Sequence, residues 1–383
     1  MDTVESGGLA VCTNYRESSR SGTGAARAIA ARVFGAWSLG KLGHVGRALR
    51  LFHPGAGPGR AGPGRGLRRS CRFRVPPPQS LTMATSCTRL TGDLCSQVLD
   101  SVDALLFDCD GVLWKGDSMI PGAAALVNRL QERGKLVFFL TNNSTKSREM
   151  YVEKLRRLGF QAHCEQVFGS APCAALYLRQ EAKLSGSVYL IGGAALRGEL
   201  QAQNIACSDS GPGPGLVQAM ATEPLDPTVA AVLIGFDEHF TYTKLCRASR
   251  YLQDPACIFL ATNTDTLLPL EGGGIPGTGC LVKAVEAASK RTAYVIGKPN
   301  DYMFKCLMKE NGIDPSRTVM VGDRLDTDIL MGTSCGLRTI LALTGVSTLE
   351  EVRAHQESNS PERHKLVPTY YVNSVADLFP GLE

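Results

Sequence analysis

Asp108 and Asp110 stand two residues apart, directly after the apolar run Ala104-Leu-Leu-Phe107. In an extended chain, residues at i and i+2 point the same way, so the two carboxylates share one side. Asp323 follows another apolar run, Thr318-Val-Met-Val321, and adds a third carboxylate. Three oxygen donors without histidine or cysteine suit a hard cation, and Mg²⁺, held by one or two carboxylates plus water and substrate phosphate, fits best. Thr141, opening Thr141-Asn-Asn-Ser144, offers a hydroxyl and backbone N–H groups at the start of a helical segment, a ready phosphate site. Lys298, in Gly297-Lys-Pro299, supplies a point positive charge. A carboxylate nucleophile, a nearby acid/base, a metal and a charge-balancing lysine together describe phosphoryl transfer.

These residues need elements that bring them together. From about residue 84 the chain alternates short apolar runs with helical patterns, the signature of a parallel sheet with crossover helices. Ala104–Phe107, Leu136–Leu140, Ala293–Ile296 and Thr318–Val321 read as buried strands, and each runs into one of the polar clusters. Open α/β sheets bind ligands at the carboxyl ends of their strands, so the four clusters are expected to converge on one crevice. Gly111 and Gly322 read as backbone requirements of tight turns or close approach, and Phe107 and Trp114 as packing. By themselves, Asp326 and Asp328 ahead of Ile329-Leu-Met331 also admit a helix-capping reading.

Asp108-Cys-Asp-Gly-Val112, Thr141, Lys298 and Gly322-Asp-Arg-Leu-Asp-Thr-Asp328 resemble the four ordered motifs of the haloacid dehalogenase superfamily of phosphatases, over residues 95 to 383. The longer strings LLFDCDGVLW, TNNS, GTGCLVKAVE and VMVGDRLDTDI are similar to the branch acting on 2-phosphoglycolate and glycerol 3-phosphate, with pyridoxal 5′-phosphate phosphatases as close relatives. The resemblance implies Asp108 as the nucleophile that becomes an aspartyl-phosphate, and Asp110 as acid/base. It implies Mg²⁺ held by Asp108, the backbone carbonyl of Asp110, and Asp323, with Asp328 ordering Asp323 or metal-bound water. Thr141 and Asn142, and more weakly Asn143, would grip the phosphoryl oxygens, and Lys298 would neutralise nucleophile and phosphate. Arg324 is balanced between a solvated and a substrate-facing reading.

Between Asn143 and Lys298 lie 154 residues, far more than the dozen or so that one crossover needs. Val188–Ile191, Ala230–Ile234 and Cys257–Leu260 read as further buried strands. The expected architecture is α/β: a Rossmann-like parallel-sheet core (84–183 and 293–383) with an inserted smaller α/β domain (184–292) and a disordered extension (1–83). In the resembled family this insert is a cap that closes over the crevice, and a homodimer joined through it is implied. His239, in Asp237-Glu-His-Phe240, aligns with a substrate-holding position of the pyridoxal phosphate branch, although a lone histidine is usually structural or solvated. Thr262–Thr266 and Gly272–Gly279 are further candidates for substrate contact or a hinge.

Composition bounds the rest. The 383 residues carry a formal charge of +5, but the first 80 hold 13 Lys and Arg against 3 Asp and Glu, a balance of +10, so the remainder carries −5. The basic excess lies in an Arg-, Gly-, Pro- and Ala-rich stretch with too little apolar surface to offset chain entropy. It reads as an extension ahead of a usual start at Met83, or as a mitochondrial type of transit peptide. Nucleic-acid binding would rest on that charge alone, and no apolar run is long enough to cross a membrane. The 13 cysteines are scattered without a Cys-x-x-Cys pair, which points to a reducing cytoplasm rather than a disulfide framework or zinc site. Cys109, between two aspartates, is assigned a packing role. The expected function is Mg²⁺-dependent hydrolysis of small phosphate esters. Pyridoxal phosphate or phosphoprotein hydrolysis is the enzymatic alternative, and a silent binding scaffold the non-enzymatic one.

Overall fold

The computed structural model describes residues 86–208, 217–270 and 273–382. The basic segment 1–83 and Gly272 lie outside them. Runs of β-branched, leucine and phenylalanine residues form the strands, because such side chains pack on a pleated surface covered from both faces. Seven parallel strands make the larger sheet, in the order Thr88–Arg89, Tyr370–Val372, Arg338–Ala342, Thr318–Gly322, Ala104–Asp108, Leu136–Thr141, Val167–Gly169. Val321 pairs with Phe107 and Phe107 with Phe139, so the three central strands end level. Asp108, Thr141 and, one residue beyond Gly322, Asp323 therefore emerge at one edge.

Side chains alternate between the faces of this sheet, as the two-residue strand period demands. Leu105, Phe107, Val137, Phe139, Val319 and Val321 join a core on one face, which Leu126, Val127 and Leu130 of the Ala123–Glu132 helix complete. Ala104, Leu106, Phe138, Leu140 and Met320 face the other way. Each fully buried aliphatic or phenyl group contributes roughly 1.5–3 kcal/mol relative to exposure. The helix Arg148–Arg157, behind the Thr141 strand, starts where the Ser147 hydroxyl accepts from the Met150 N–H, a side-chain cap for an otherwise unpaired donor.

A second, five-stranded parallel sheet has the order Tyr294–Val295, Ile258–Ala261, Val229–Ile234, Ser187–Ile191, Cys207–Ser208. Val188, Leu190, Leu233 and Leu260 pack into the same apolar cluster as Leu106 and Leu140, so the two sheets share a core. One expectation is corrected here. The apolar run before Lys298 does not join the sheet that carries Asp108. Tyr294–Val295 pairs with Leu260 and Ala261, and the second sheet continues past residue 292. A short apolar run satisfies either sheet equally, and only its partner strand decides which one it joins.

Candidate active site

The edge of the larger sheet opens into a crevice of about 250 Å³. Asp108, Asp110, Thr141, Asn142, Asn143, Lys298, Asp323 and Asp328 all line it, with Arg324, Asn263, Asp265 and Thr266; of the catalytic, metal and substrate residues expected from the sequence, His239 does not.

Lys298 arrives from the second sheet. Ile296 N–H donates to the Ala261 carbonyl at 2.9 Å and Gly297 N–H to the Thr262 carbonyl at 2.8 Å, which zips the chain along the loop after Ile258–Ala261. The Asn142 carboxamide then clasps the lysine backbone: its Oδ1 accepts from Lys298 N–H at 2.8 Å and its Nδ2 donates to the Lys298 carbonyl at 3.0 Å. The ammonium ends 2.5 Å from Asp108 Oδ1 and 2.8 Å from Asp328 Oδ1, and it donates to the Leu140 carbonyl at 3.2 Å. Burial alone would lower this ammonium, but Asp108 and then Asp328 outweigh it and hold it above the ordinary lysine value.

The carboxylates feel the opposite strain. Burial pushes Asp108 well above the usual carboxylate range; Lys298 pulls it back, while Asp328 and Asp323 push it further up. Asp323 is pushed up to about 7, first by burial and then by the charge of Asp328. Carboxylate oxygens of Asp108, Asp323 and Asp328 lie within 4.8 Å of one another. Three clustered carboxylates face one ammonium, a deficit of positive charge that a hard divalent cation would fill, so the residues present fit one. Asp328 is more central than the sequence implied: it is 1% exposed, pairs with Lys298, and its Oδ2 accepts from the Arg324 N–H at 3.2 Å. Capping is thus a minor part of its role.

Local backbone geometry supports these positions. Gly111 has φ +89°, and a Cβ there would stand 2.5 Å from Asp323 Oδ2; the conformation and the close approach both require glycine. The Val346 N–H donates to Asp323 Oδ2 at 2.9 Å and orients that carboxylate. Thr141 Oγ1 accepts from the Asn143 N–H at 3.1 Å and shares a hydrogen bond of 3.1 Å with the Tyr151 hydroxyl. Cys109 is fully buried in the core; burial, then Asp108 and Asp110, raise its thiol well above the ordinary value, in keeping with packing.

Three placements differ from expectation. His239 is not among the residues lining the crevice; its side chain is 84% exposed, 3.6 Å from Glu238. Its N–H donates to Asp237 Oδ1, and Asp237 pairs with Lys244 at 2.7 Å, so the Asp237–Phe240 turn is held by its own contacts. The Asn142 side chain is committed to Lys298 and to Asp265 Oδ2, at 3.0 Å, rather than turned towards a phosphoryl group. Asn143 Oδ1 accepts from the Thr145 N–H and hydroxyl.

Asp265 and Arg324 also line the crevice and pair with each other. Arg324 Nη1 lies 3.0 Å from Asp265 Oδ1 while its other nitrogens bind Asp326. Asn263 Nδ2 donates to Asp265 Oδ2 at 2.7 Å. The polar loop 262–266 was visible in the sequence, but its partner Arg324, 59 residues away, was not. Trp114 is fully buried, in keeping with the packing role expected of it, and in addition its Nε1–H donates to Asp110 Oδ1 at 2.8 Å. Its signal was a ring donor four residues after an aspartate in a tight turn.

Among the described residues no helix is long and apolar enough to cross a membrane. Comparison with known proteins agrees with the geometry. Residues 105–206 match the model of the haloacid dehalogenase-like hydrolases, and residues 295–378 match a second model of HAD-like hydrolases. The chain is 58% identical over 303 residues to glycerol-3-phosphate phosphatase of Gallus gallus, covering 78% of this chain and 97% of that protein. It is 47% identical to chronophin of Homo sapiens, covering 78% and 99%. Among solved structures, a hypothetical protein of Pyrococcus horikoshii OT3 superposes with a TM-score of 0.63 at 35% identity, covering 73% of this chain and 99% of the other. Glycerol phosphate phosphatase of Mycobacterium tuberculosis, in complex with calcium, superposes with a TM-score of 0.60 at 28% identity, covering 73% and 76%. With its motifs gathered in one crevice and its sequence aligned along 97% of the Gallus gallus glycerol-3-phosphate phosphatase and 99% of the Homo sapiens chronophin, the chain belongs to the haloacid dehalogenase-like hydrolases, as a phosphoric monoester hydrolase.

Proposed function

We propose that the chain is a Mg²⁺-dependent phosphatase of small metabolites, with glycerol 3-phosphate and 2-phosphoglycolate as substrates, working through an aspartyl-phosphate on Asp108. The observation that carries this is the Asp108 carboxylate at the open end of its strand, with Lys298 at 2.5 Å and Asp323 and Asp328 beside it. A carboxylate so placed presents an oxygen to an incoming phosphorus. The bond from Asp108 oxygen to phosphorus forms as the ester P–O bond breaks, and the electron pair leaves on the alkoxide oxygen, which takes a proton from Asp110. Asp110 then removes a proton from water as that water bonds to phosphorus; the acyl-phosphate P–O bond breaks and its electron pair returns to Asp108. Lys298 offsets negative charge on the nucleophile and on the phosphoryl oxygens, and Thr141 holds those oxygens through its hydroxyl. Asp108, Asp323 and the Asp110 carbonyl would hold Mg²⁺, which would supply charge stabilisation of the transferring group.

The residues 184–292, with the strand that follows them, act on this reading as a cap: Asn263, Asp265, Thr266, Leu267 and Leu268 of this unit line the crevice, and their cover would exclude bulk water, which strengthens every charge interaction inside. A crevice of about 250 Å³ suits a three-carbon phosphate ester better than a folded phosphoprotein surface. The glycerol-3-phosphate phosphatases of Gallus gallus and Homo sapiens, at 58% and 51% identity, support the choice of substrate over the pyridoxal phosphate alternative. The position of His239 outside the crevice points the same way.

The test is hydrolysis by Asp108→Asn and by the wild type, each with and without Mg²⁺, on glycerol 3-phosphate, 2-phosphoglycolate, pyridoxal phosphate and a phosphotyrosine peptide. The wild type is expected to turn over the first two only with metal. The variant is expected to lose activity by about 10⁴-fold or more, as removal of a covalent nucleophile does, while its circular dichroism spectrum and cooperative melting show that the fold is retained. Substantial turnover by the variant would refute the covalent mechanism.

A further inference from the structure

Asp110 must present a proton to the leaving group and then accept one from water. Its carboxyl must therefore hold one orientation through two steps, and Trp114 is placed to impose it. The indole N–H is a donor with no acceptor capacity, and when buried it needs a partner. That partner is Asp110 Oδ1, at 2.8 Å.

Neither end of this hydrogen bond is free to drift. The turn between them is closed by the Gly111 N–H to the Trp114 carbonyl at 2.7 Å and by the Leu113 N–H to the Cys109 carbonyl at 2.9 Å. Thr344 Oγ1 pins the Gly111 carbonyl at 2.6 Å. The ring itself is clamped: Tyr151 stacks on it at 6.4 Å between centroids, Phe160 meets it edge-on at 6.4 Å, and the Lys154 ammonium sits 4.5 Å from its centroid. A cation on the face of an indole draws on its π-density and so polarises the ring towards stronger N–H donation. Tyr151 in turn bonds Thr141 Oγ1 at 3.1 Å. One buried aromatic pair thus holds both the proton-transferring carboxyl and the phosphate-gripping hydroxyl.

We propose that Trp114 is a positioning residue for proton transfer in this phosphatase: its Nε1–H occupies Asp110 Oδ1, fixes the carboxyl plane, and leaves Oδ2 as the oxygen that carries the proton. This rests on the reading of Asp110 as the acid/base. In the first half-reaction, the Oδ2–H bond breaks as a new O–H bond forms on the departing alkoxide. In the second, Oδ2 takes a proton from the attacking water and the acid is restored. Oδ1 keeps the indole hydrogen bond throughout.

The experiment compares leaving groups. An alkoxide needs the proton, whereas 4-nitrophenolate departs as the anion. Single-turnover phosphoryl transfer is measured with 4-nitrophenyl phosphate and with whichever of glycerol 3-phosphate and 2-phosphoglycolate the wild type hydrolyses faster. Trp114→Phe keeps an aromatic ring and removes the N–H. It is expected to slow transfer from the alkyl ester about tenfold or more, as a misplaced acid does, and transfer from the aryl ester less than about twofold. Asp110→Asn is expected to show the same selectivity with a larger loss. Equal losses on both esters in Trp114→Phe, or no loss, overturn the positioning role. If that happens while Asp110→Asn remains selective, the acid/base reading stands and only the role of Trp114 falls; if Asp110→Asn is unselective, both fall. Should Trp114→Phe not fold, benzothienylalanine at position 114, which replaces N–H by sulfur at nearly the same volume, carries the same expectations.

Discussion

Asp323 shows how a single residue can oppose folding in the metal-free protein and serve the site when a cation is bound. Its carboxyl rises from an ordinary 3.8 to about 7, because it is buried beside Asp328. Between those values the folded chain holds a proton that the unfolded chain has released, so stability conferred by this group is present at low pH and lost as pH rises through about 7. On the proposed reading of Asp323 as a metal ligand, a divalent cation would displace that proton and reverse the trend. In EDTA, the melting temperature of the wild type relative to Asp323→Asn is therefore expected to fall as the pH is raised from about 5 to about 8. Added Mg²⁺ is expected to raise the wild type most at the upper end and the variant little at any pH. Thermal scans at three pH values check it, and a wild type that gains on the variant with rising pH in EDTA would contradict the assignment. The apparent Mg²⁺ affinity should weaken below pH about 7 for the same reason, since proton and metal compete for one oxygen.

At the scale of elements, the turn 108–114 illustrates how few residues set the site. It follows a strand whose Leu105, Leu106 and Phe107 are fully buried, so the strand end is fixed by the core and the turn inherits that rigidity. Gly111 lets the backbone pass at φ +89° within reach of Asp323. Gly111→Ala is expected to cost about 1–2 kcal/mol from the left-handed backbone alone, and to displace the Asp323 carboxylate or the turn. Because a shift of about 1 Å at reacting groups can cost as much as 100-fold, the loss in kcat should exceed what the drop in melting temperature suggests. Denaturant titration and steady-state kinetics on the same preparation check this; full activity in the variant would show that the turn has slack. The loop 262–268 is held from the opposite side by Asp265, which ties Asn263, Asn142 and Arg324 together. One carboxylate thereby joins loops from both sheets at the crevice.

At the scale of the whole molecule, the two sheets behave as parts of one core, because Leu190 and Leu233 of the smaller sheet pack in the same cluster as Leu106 and Phe138 of the larger. Leu190→Ala is expected to destabilise the protein by about 2–5 kcal/mol, in one cooperative transition followed equally by circular dichroism and by loss of activity. Two separated transitions would show that the smaller sheet unfolds on its own. The charge balance also belongs to this scale. Residues 81–383 carry −5, and the crevice itself gathers three carboxylates around one ammonium; on the proposed reading it would hold an anion through Lys298 together with a bound divalent cation, a local positive charge that the total does not report.

Much of this was legible in the residues alone. The strand-end positions of Asp108, Thr141 and Asp323 follow from buried apolar runs ending in polar clusters, a local pattern that survives any packing of the sheets. The chemistry was legible as well, since carboxylates, a lysine and a hydroxyl at strand ends suit phosphoryl transfer and the order of the four motifs resembles one family of phosphatases. What only the tertiary structure decided are the contacts between residues far apart in the chain. Lys298 follows the edge strand of the second sheet, Asn142 commits its side chain to the Lys298 backbone across 156 residues, and Asp328 faces the ammonium while also accepting the Arg324 N–H. Trp114 adds a donor for Asp110 to its packing, and His239 proved exposed. Residue type and spacing set what a group can do, because they are properties of the covalent chain; which partner it meets depends on how the sheets pack, and no periodicity records that.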